Sequence, residues 1–389
     1  MDFNHNSEQR VLAESVARFG ERDYGFEDRR KLAGSADGFS RDHWATFAEL
    51  GWFGAGLSEE EGGFGGGAVE NAILFEGFGR ILLIEPVLAH AVLAIQALAA
   101  LPAGERRDGL IGQAVMGEVM MTLAHDEAEG WGAVDWVATQ AREEDGGYRL
   151  TGAKSRVLAA HAAATLLVTA RLSGAVDDAD GIGLFLVKAD AAGLSGRPYR
   201  LLDGSRASDV TLDGVAGELL ASGGEARAAI ARAYRHGTVA LCADALGAME
   251  AAMWQTRDYL KTRKQFGVTL NNFQALQHRM ADMLIETELS RSMLLQALSA
   301  LTLPDEQQDA GISAAKVAIC RSALFVTGQA IQLHGGIGMT DELMVGHFYK
   351  RARVIESLLG DLDHHFDRFF GSITIEPVSH DIAALSADG

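Results

Sequence analysis

The chain has 389 residues, of which 48% are hydrophobic and 22% are charged, and its formal net charge is −19 at pH 7. A chain of this length predicts roughly two or three domains with a sizeable core, and its composition excludes disordered and fibrous classes. Because the charge is so negative, nucleic acid is a poor partner, and we expect none.

The first part of the chain has helical periodicity with glycine-rich connections. Ser40 is a candidate N-cap for a helix that carries Trp44 and Phe47, and residues 61–67 predict an exposed loop. Polar residues and a proline interrupt the most apolar stretch, residues 81–101, so we expect no membrane span. The polar N-terminus lacks an apolar signal core, which predicts a cytoplasmic location.

Short apolar runs separated by Gly and Asp clusters follow from about residue 118. The runs at 165–170 and 183–187 predict strands, and residues 148–152 predict a strand that ends in a turn. Cys242 and Cys320 both lie in apolar helical patterns, so we interpret them as small core residues. Two cysteines provide neither a disulfide framework nor a metal ribbon, and we expect no metal.

Helical periodicity returns from residue 225. Apolar residues recur at steps of three and four, as on one face of a long helix, in two sets: Val239, Cys242, Leu246, Met249 and Met253, then Val317, Cys320, Leu324, Thr327 and Ile331. With a break near Pro304, this pattern predicts a helical bundle. We therefore predict an α-helical domain at 1–117, a β domain at 118–224, a bundle at 225–371 and a loose tail at 372–389.

Candidate dinucleotide-binding residues lie at two helix ends of the predicted bundle. Arg263 can present a planar fork to a pyrophosphate, and adjacent glycines let backbone N–H groups approach an anion. The candidates are Arg263, Gln265, Phe266, Gln274, Gln332, Gly335 and Gly336. A basic residue at a helix end commonly complements the helix dipole, and a glycine pair commonly ends a helix. The combination, rather than any one residue, indicates a binding site.

This combination resembles the acyl-CoA dehydrogenase family over nearly the whole chain. The resemblance rests on Trp44 and on residues 50–51, 60–65, 78–80, 245–247, 263–267, 273–274 and 332–338. It implies an acyl-CoA dehydrogenase-like, mainly α fold: an N-terminal α-helical domain, a small middle β domain and a C-terminal four-helix bundle, usually in a tetramer. It also implies FAD, an acyl-CoA substrate and electron-transfer flavoprotein as the electron acceptor. The candidate residues above would then reach the adenosine and pyrophosphate of a flavin held mainly by a neighbouring subunit.

The chain departs from the family where chemistry is expected. The family places its proton-abstracting Glu at one of two positions, which Gly237 and Leu359 occupy here. A W-x-T motif cradles the flavin ring in the family, and Arg156 and Leu158 stand at its two named positions. Residues 123–130 also keep little of the family stretch that lines flavin and substrate. The catalytic residue is therefore unknown from the sequence.

This pattern is similar to the small subunits of heteromeric acyl-CoA dehydrogenases, such as the pimeloyl-CoA and steroid side-chain enzymes. It implies a homologous partner subunit in a heterotetramer, a dimer of dimers. Three alternatives stay open: a homomeric enzyme whose base is Asp361 or Asp244, a non-catalytic acyl-CoA-binding or scaffold subunit, and a related oxidase or monooxygenase. For both carboxylates we favour a structural role, and for His364 and His365 an ordinary polar pair.

Overall fold

The structure is a computed structural model that describes residues 5–144 and 146–372. The tail predicted beyond residue 372 lies outside the described residues. The N-terminal part is helical: α1 (Ser7–Arg22), α2 (Phe26–Gly34), α3 (Arg41–Glu49), α4 (Ala68–Ile81), a π-helical segment (Leu88–Ala94) that continues into α5 (Ile95–Ala99), and α6 (Glu105–Val115). The Ser40 side chain accepts a hydrogen bond from the N–H of His43 and caps α3, which confirms that prediction.

The middle part is a sheet of seven strands: β1 (Met121–Ala124), β2 (Gln140–Glu144), β3 (Gly147–Leu158), β4 (Thr165–Arg171), β5 (Ile182–Lys188), β6 (Leu194–Arg200) and β7 (Arg206–Ser222). The pairings β4-β2-β3-β7-β5 return to β4, while β1 pairs with β4 and β6 with β7. The prediction of a turn at Gly152 was wrong. β3 continues to Leu158, and its register against β7 shifts between Leu150 and Gly152, as at a bulge, where Gly152 also lies against Thr139.

The C-terminal part is a bundle of long helices: α7 (Gly224–Thr262), α8 (Gln274–Ala300), α9 (Asp305–His334), α10 (Met344–Ser357) and the short α11 (Leu362–Gly371). A small hairpin of β8 (Lys264–Gln265) and β9 (Val268–Thr269) joins α7 to α8. Cys242 and Cys320 are buried, as predicted. The periodicity on α9 was only partly right, because Val317, Leu324 and Ile331 are half-buried beside a face that is fully buried. The architecture confirms the expected fold class.

Helices α4 and α7 touch backbone to backbone because a glycine on each helix lies at their crossing. A Cβ atom added to Gly79 would overlap the carbonyl of Asp244, and one added to Gly247 would overlap that of Glu76. A larger side chain at either position would push the helices apart. Both glycines belong to motifs that carry the family resemblance, so packing explains why those motifs contain them.

Helix α9 and the chain that follows it, Asp305–Met339, form the one segment within the described ranges that is long and apolar enough to cross a membrane. This is a different segment from residues 81–101. Length and apolarity are weak evidence here, because 56% of its most apolar window is buried inside the protein. α9 packs against α7, α8, α10 and α11, as the core helix of a bundle does.

Candidate functional site

The two positions that the resemblance assigns to the family's catalytic Glu, Gly237 and Leu359, lie next to each other in the structure. A Cβ atom added to Gly237 on α7 would lie 2.6 Å from Cδ1 of Leu359 and 2.7 Å from Cδ2 of Leu93. Leu359 is buried between α10 and α11 and has a left-handed backbone conformation, with φ of +57°. Neither residue at these positions can accept a proton, and Leu93 closes the space around Gly237.

One cavity is lined by Leu359 and by the two residues that replace the family's flavin cradle. Arg156, Leu158, Asp126, Tyr234 and Leu359 all border it, and we call this cavity the flavin bed. Its space is about 340 Å³, part of it open to solvent. Arg156 thus puts a charged side chain on the lining of this region, where the resemblance places a flavin ring. The residues present therefore do not fit a flavin ring in this chain.

Asp126 is the carboxylate that borders this region, and it is already engaged. Its Oδ1 accepts hydrogen bonds from the Tyr234 hydroxyl at 2.6 Å and from the Gly132 N–H at 3.3 Å. Burial, and then the neighbouring Asp126, raise the pKa of Tyr234 well above its usual value, so the hydroxyl stays protonated and donates. Two donors thus occupy Oδ1, and Nη2 of Arg156 lies 3.8 Å from Oδ2.

The two carboxylates considered as alternative bases both have structural partners. Asp361 is the N-cap of α11, where its side chain accepts from the N–H of His364 at 2.9 Å. Asp244 on α7 is buried and pairs with Arg351 at 2.6 Å and 3.0 Å. These contacts support the structural interpretation, and a catalytic role for either residue stays a prediction without support.

Polar side chains of residues 123–130, the stretch that differs from the family, form a buried cluster with Lys154 and Thr169. Lys154 Nζ donates to Glu127 at 2.6 Å, to the Thr169 hydroxyl at 3.0 Å and to the His125 carbonyl at 3.2 Å. Burial lowers the pKa of His125 to about 4, so its ring is neutral near pH 7 and bonds to Thr169 at 3.0 Å. Every group here has a partner, which indicates that the cluster holds the sheet together.

His364 and His365 lie edge to face, with ring centroids 5.2 Å apart. Ser313 Oγ lies 3.1 Å from His365 Nδ1, and the Leu359 carbonyl lies 3.1 Å from Nε2. Burial lowers the pKa of His365 to about 2. Within residues 5–144 and 146–372, no three His, Cys, Asp or Glu side chains group at metal-binding distance.

The candidate dinucleotide-binding residues come from two distant segments that the fold brings to one end of the bundle. Tyr259, near the end of α7, stacks on His334 at the end of α9, with ring centroids 4.4 Å apart. Its hydroxyl also donates to the His334 carbonyl at 3.3 Å. Arg263 follows Tyr259 by one helical turn, and Gly335 follows His334 directly. Sequence reasoning missed this pair, because an ordinary Tyr and His give no sign that they are in contact.

These residues present their polar groups to solvent. We call them the clamp: Arg263, Gln265, Phe266, Gln274, Gln332, Gly335 and Gly336, all of which are exposed. The Arg263 guanidinium has no hydrogen-bond or ion-pair partner in the described part of the chain. Phe266 is 91% exposed at the tip of the β8–β9 hairpin, with φ of +53°. An exposed guanidinium and exposed side-chain amides can donate hydrogen bonds to the phosphates of a dinucleotide.

A larger cavity adjoins the flavin bed and shares Leu158 and Leu358 with it. Its space is about 720 Å³, part of it open to solvent, and Phe75, Phe78 and Leu241 are among its apolar residues. Polar and charged residues also line it, among them Asp37, His161, Arg206 and Arg351. An apolar interior with a few polar groups is typical of a small-molecule site.

Comparison with known proteins identifies the same family as the sequence resemblance. The family model for the acyl-CoA dehydrogenase N-terminal domain matches residues 6–118, and that for the C-terminal domain matches residues 227–368. The acyl-CoA dehydrogenase FadE27 of Mycobacterium tuberculosis is 27% identical over 342 residues, which cover 86% of this chain and 88% of that protein.

Two solved assemblies are also similar. A variant of the Tcur3481-Tcur3483 steroid ACAD matches with 31% identity and a TM-score of 0.83 over 94% of this chain and 97% of that one. The ChsE4-ChsE5 complex from Mycobacterium tuberculosis matches with 26% identity and a TM-score of 0.85 over 97% of this chain and 100% of that one. The chain belongs to the acyl-CoA dehydrogenase family, whose members are FAD-dependent oxidoreductases acting on CH–CH groups.

Proposed function

We propose that this chain is the partner subunit of a heteromeric acyl-CoA dehydrogenase and completes the FAD site of a homologous catalytic subunit. One contrast carries the proposal. The clamp is open to solvent and fits the phosphate end of FAD, whereas the chain's own flavin bed holds Arg156 and lacks a Glu at both family positions. A chain that keeps the clamp but lacks a suitable flavin bed can bind FAD productively only together with a second chain that supplies the bed.

The division of labour between the two chains follows from this contrast. Arg263 and the exposed amides of this chain would hold the pyrophosphate and adenosine of the partner's FAD. The catalytic subunit would supply the Glu that takes the proton from the carbon α to the thioester. The chemistry that FAD supplies in this family is acceptance of the hydride from the β carbon. Two of the similar structures carry names that pair two chains, which supports a heteromer.

The finer features of the assembly belong to the same proposal. We expect a dimer of dimers with an acyl-CoA substrate, electron-transfer flavoprotein as the electron acceptor and a cytoplasmic location. The steroid named for one similar structure makes a steroid side-chain thioester a reasonable first substrate to test, beside fatty acyl-CoA. The acidic surface of the chain is compatible with a protein partner and unfavourable for an anionic membrane.

The experiment is expression of the chain alone and together with a homologous subunit that carries the catalytic Glu. We expect the pair to purify as a yellow complex that oxidises acyl-CoA, and the chain alone to lack this activity. Within the complex, Arg263→Ala should weaken FAD retention roughly tenfold or more, because it removes a charge-assisted hydrogen bond. Lys261→Ala, an exposed change on the last turn of α7, is the matched control.

Two results would contradict the proposal. One is a yellow homotetramer of this chain alone that oxidises acyl-CoA at ordinary rates. The other is a co-purified complex that contains no flavin, which would favour a non-catalytic acyl-CoA-binding or scaffold role. Visible absorbance and subunit stoichiometry of the purified complex distinguish the two.

A further inference from the structure

Arg156 has an unusual backbone conformation for an arginine. It lies on β3 where the register against β7 shifts between Lys154 and Val157, and its φ is +52°. This left-handed region is unfavourable for residues other than glycine, so surrounding contacts must hold it. One such contact is the hydrogen bond that the Arg156 N–H donates to the Asp209 carboxylate at 3.3 Å.

The guanidinium of Arg156 is held on several sides. Its carbon lies 3.6 Å from the centroid of the Trp131 ring, a close cation–π contact. Nη1 donates to the Ser357 carbonyl at 2.9 Å, and Nη2 lies 3.8 Å from the Asp126 carboxylate. These contacts join β3, the end of α10 and the loop between β1 and β2 that carries Trp131, here called the Trp131 loop, at the edge of the flavin bed.

The Trp131 loop is fitted closely to the turn that carries Leu359. A Cβ atom added to Gly132, whose φ is +80°, would lie 2.6 Å from the Cα of Gly360. The Gly132 N–H also donates to the Asp126 carboxylate, and this hydrogen bond further fixes the position of the loop. Trp131 is therefore positioned over Arg156 by packing that only a glycine allows.

We propose that Arg156 and Trp131 form a plug that closes this chain's own flavin bed and so confines the flavin ring to the partner subunit. Arg156 lines this cavity at a position that the resemblance assigns to the flavin cradle, and the indole of Trp131 packs against its guanidinium. The inference rests on the proposed function and deepens it. It names the residues that would prevent this chain's flavin bed, unlike that of the catalytic subunit, from holding a flavin ring.

The test is a titration of the full-length chain with FAD, read by quenching of flavin fluorescence and by visible circular dichroism. The wild-type chain should hold the ring weakly, whereas Arg156→Ala, Trp131→Ala and the double variant should each bind FAD at least tenfold more tightly. Trp131 is 42% exposed, so its truncation removes half of the stack without opening the core. Arg149→Ala, on an exposed part of the same strand, should match the wild type.

Unchanged FAD affinity, within twofold, in folded Trp131→Ala and Arg156→Ala chains would overturn the plug. It would leave the proposed function standing, provided that the co-expressed pair is yellow and active. If Arg156→Ala does not fold, the result for Trp131→Ala decides alone. A wild-type chain that by itself holds one FAD per chain with a quenched ring and is active would instead overturn both proposals.

Discussion

Arg351 on α10 ties together elements from all three parts of the chain. Its guanidinium bonds Asp203, just before β7, at 2.6 Å, and Asp244 on α7 at 2.6 Å. It also donates to the Leu83 carbonyl, which follows α4, at 3.0 Å. Burial alone would lower the pKa of Arg351, but Asp244 and Asp203 outweigh it and raise the pKa above its usual value.

The substitution Arg351→Met keeps an unbranched apolar stem and removes the charge. It leaves two carboxylates whose side chains are 0% and 2% exposed without their cation. Removal of one partner from a buried ion pair costs about 3–5 kcal/mol. With an unfolding entropy of about 2.1 cal/mol/K per residue over 389 residues, this loss predicts a fall in Tm of about 4–6 °C.

The assay is thermal unfolding followed by circular dichroism at fixed protein concentration. Arg353→Met is the matched control, because Arg353 lies on the same helix with a guanidinium that is 45% exposed and pairs with Glu356. Surface pairs contribute about 0–1 kcal/mol, so the control should change Tm by about 1 °C or less. Equal shifts for the two variants would refute the reasoning that burial makes the Arg351 pairs costly to break.

Three further predictions concern pH, the contact between Gly237 and Leu359, and the helix cap. Burial alone would raise the pKa of Asp203, but Arg351 lowers it below its usual value, so the stabilisation present above about pH 4 should be lost as pH falls, and Asp203→Asn should reduce this loss. Gly237→Ala should cost about 1–3 kcal/mol through contact with Leu359, and Leu359→Ala should relieve part of it. Asp361→Ala should cost about 1 kcal/mol as a lost cap, whereas Asp361→Asn should keep both stability and activity.

Denaturant unfolding measures the first two effects, and the last also needs activity of the complex. Gly224→Ala is the control for Gly237→Ala, because a Cβ atom at Gly224 meets nothing within 4 Å. Additive costs for Gly237→Ala and Leu359→Ala would show that the two positions are independent. An unchanged acid dependence in Asp203→Asn would remove Asp203 from the explanation. Loss of activity with retained stability in Asp361→Asn would restore Asp361 as a base.

Much of the local structure could be read from the sequence, because it depends on neighbours along the chain. The Ser40 cap, the strands at 165–170 and 183–187 and the long amphipathic α7 follow from spacing and residue type alone. The prediction at Gly152 failed because a bulge and a turn both use glycine, and only the pairing of β3 with β7 on both sides of Gly152 distinguishes them. The domain boundaries stay predictions, although β1 begins at Met121 and α7 at Gly224.

The sequence by itself indicated the family, and it predicted the clamp residues and the absence of a Glu at both family positions, because each depends on residue identity in order along the chain. Only the tertiary structure decided that Gly237 and Leu359 lie in contact and that Tyr259 and His334 join the two halves of the clamp. It alone placed Arg156 on Trp131. These are contacts between distant segments, and their geometry depends on packing that local spacing does not encode.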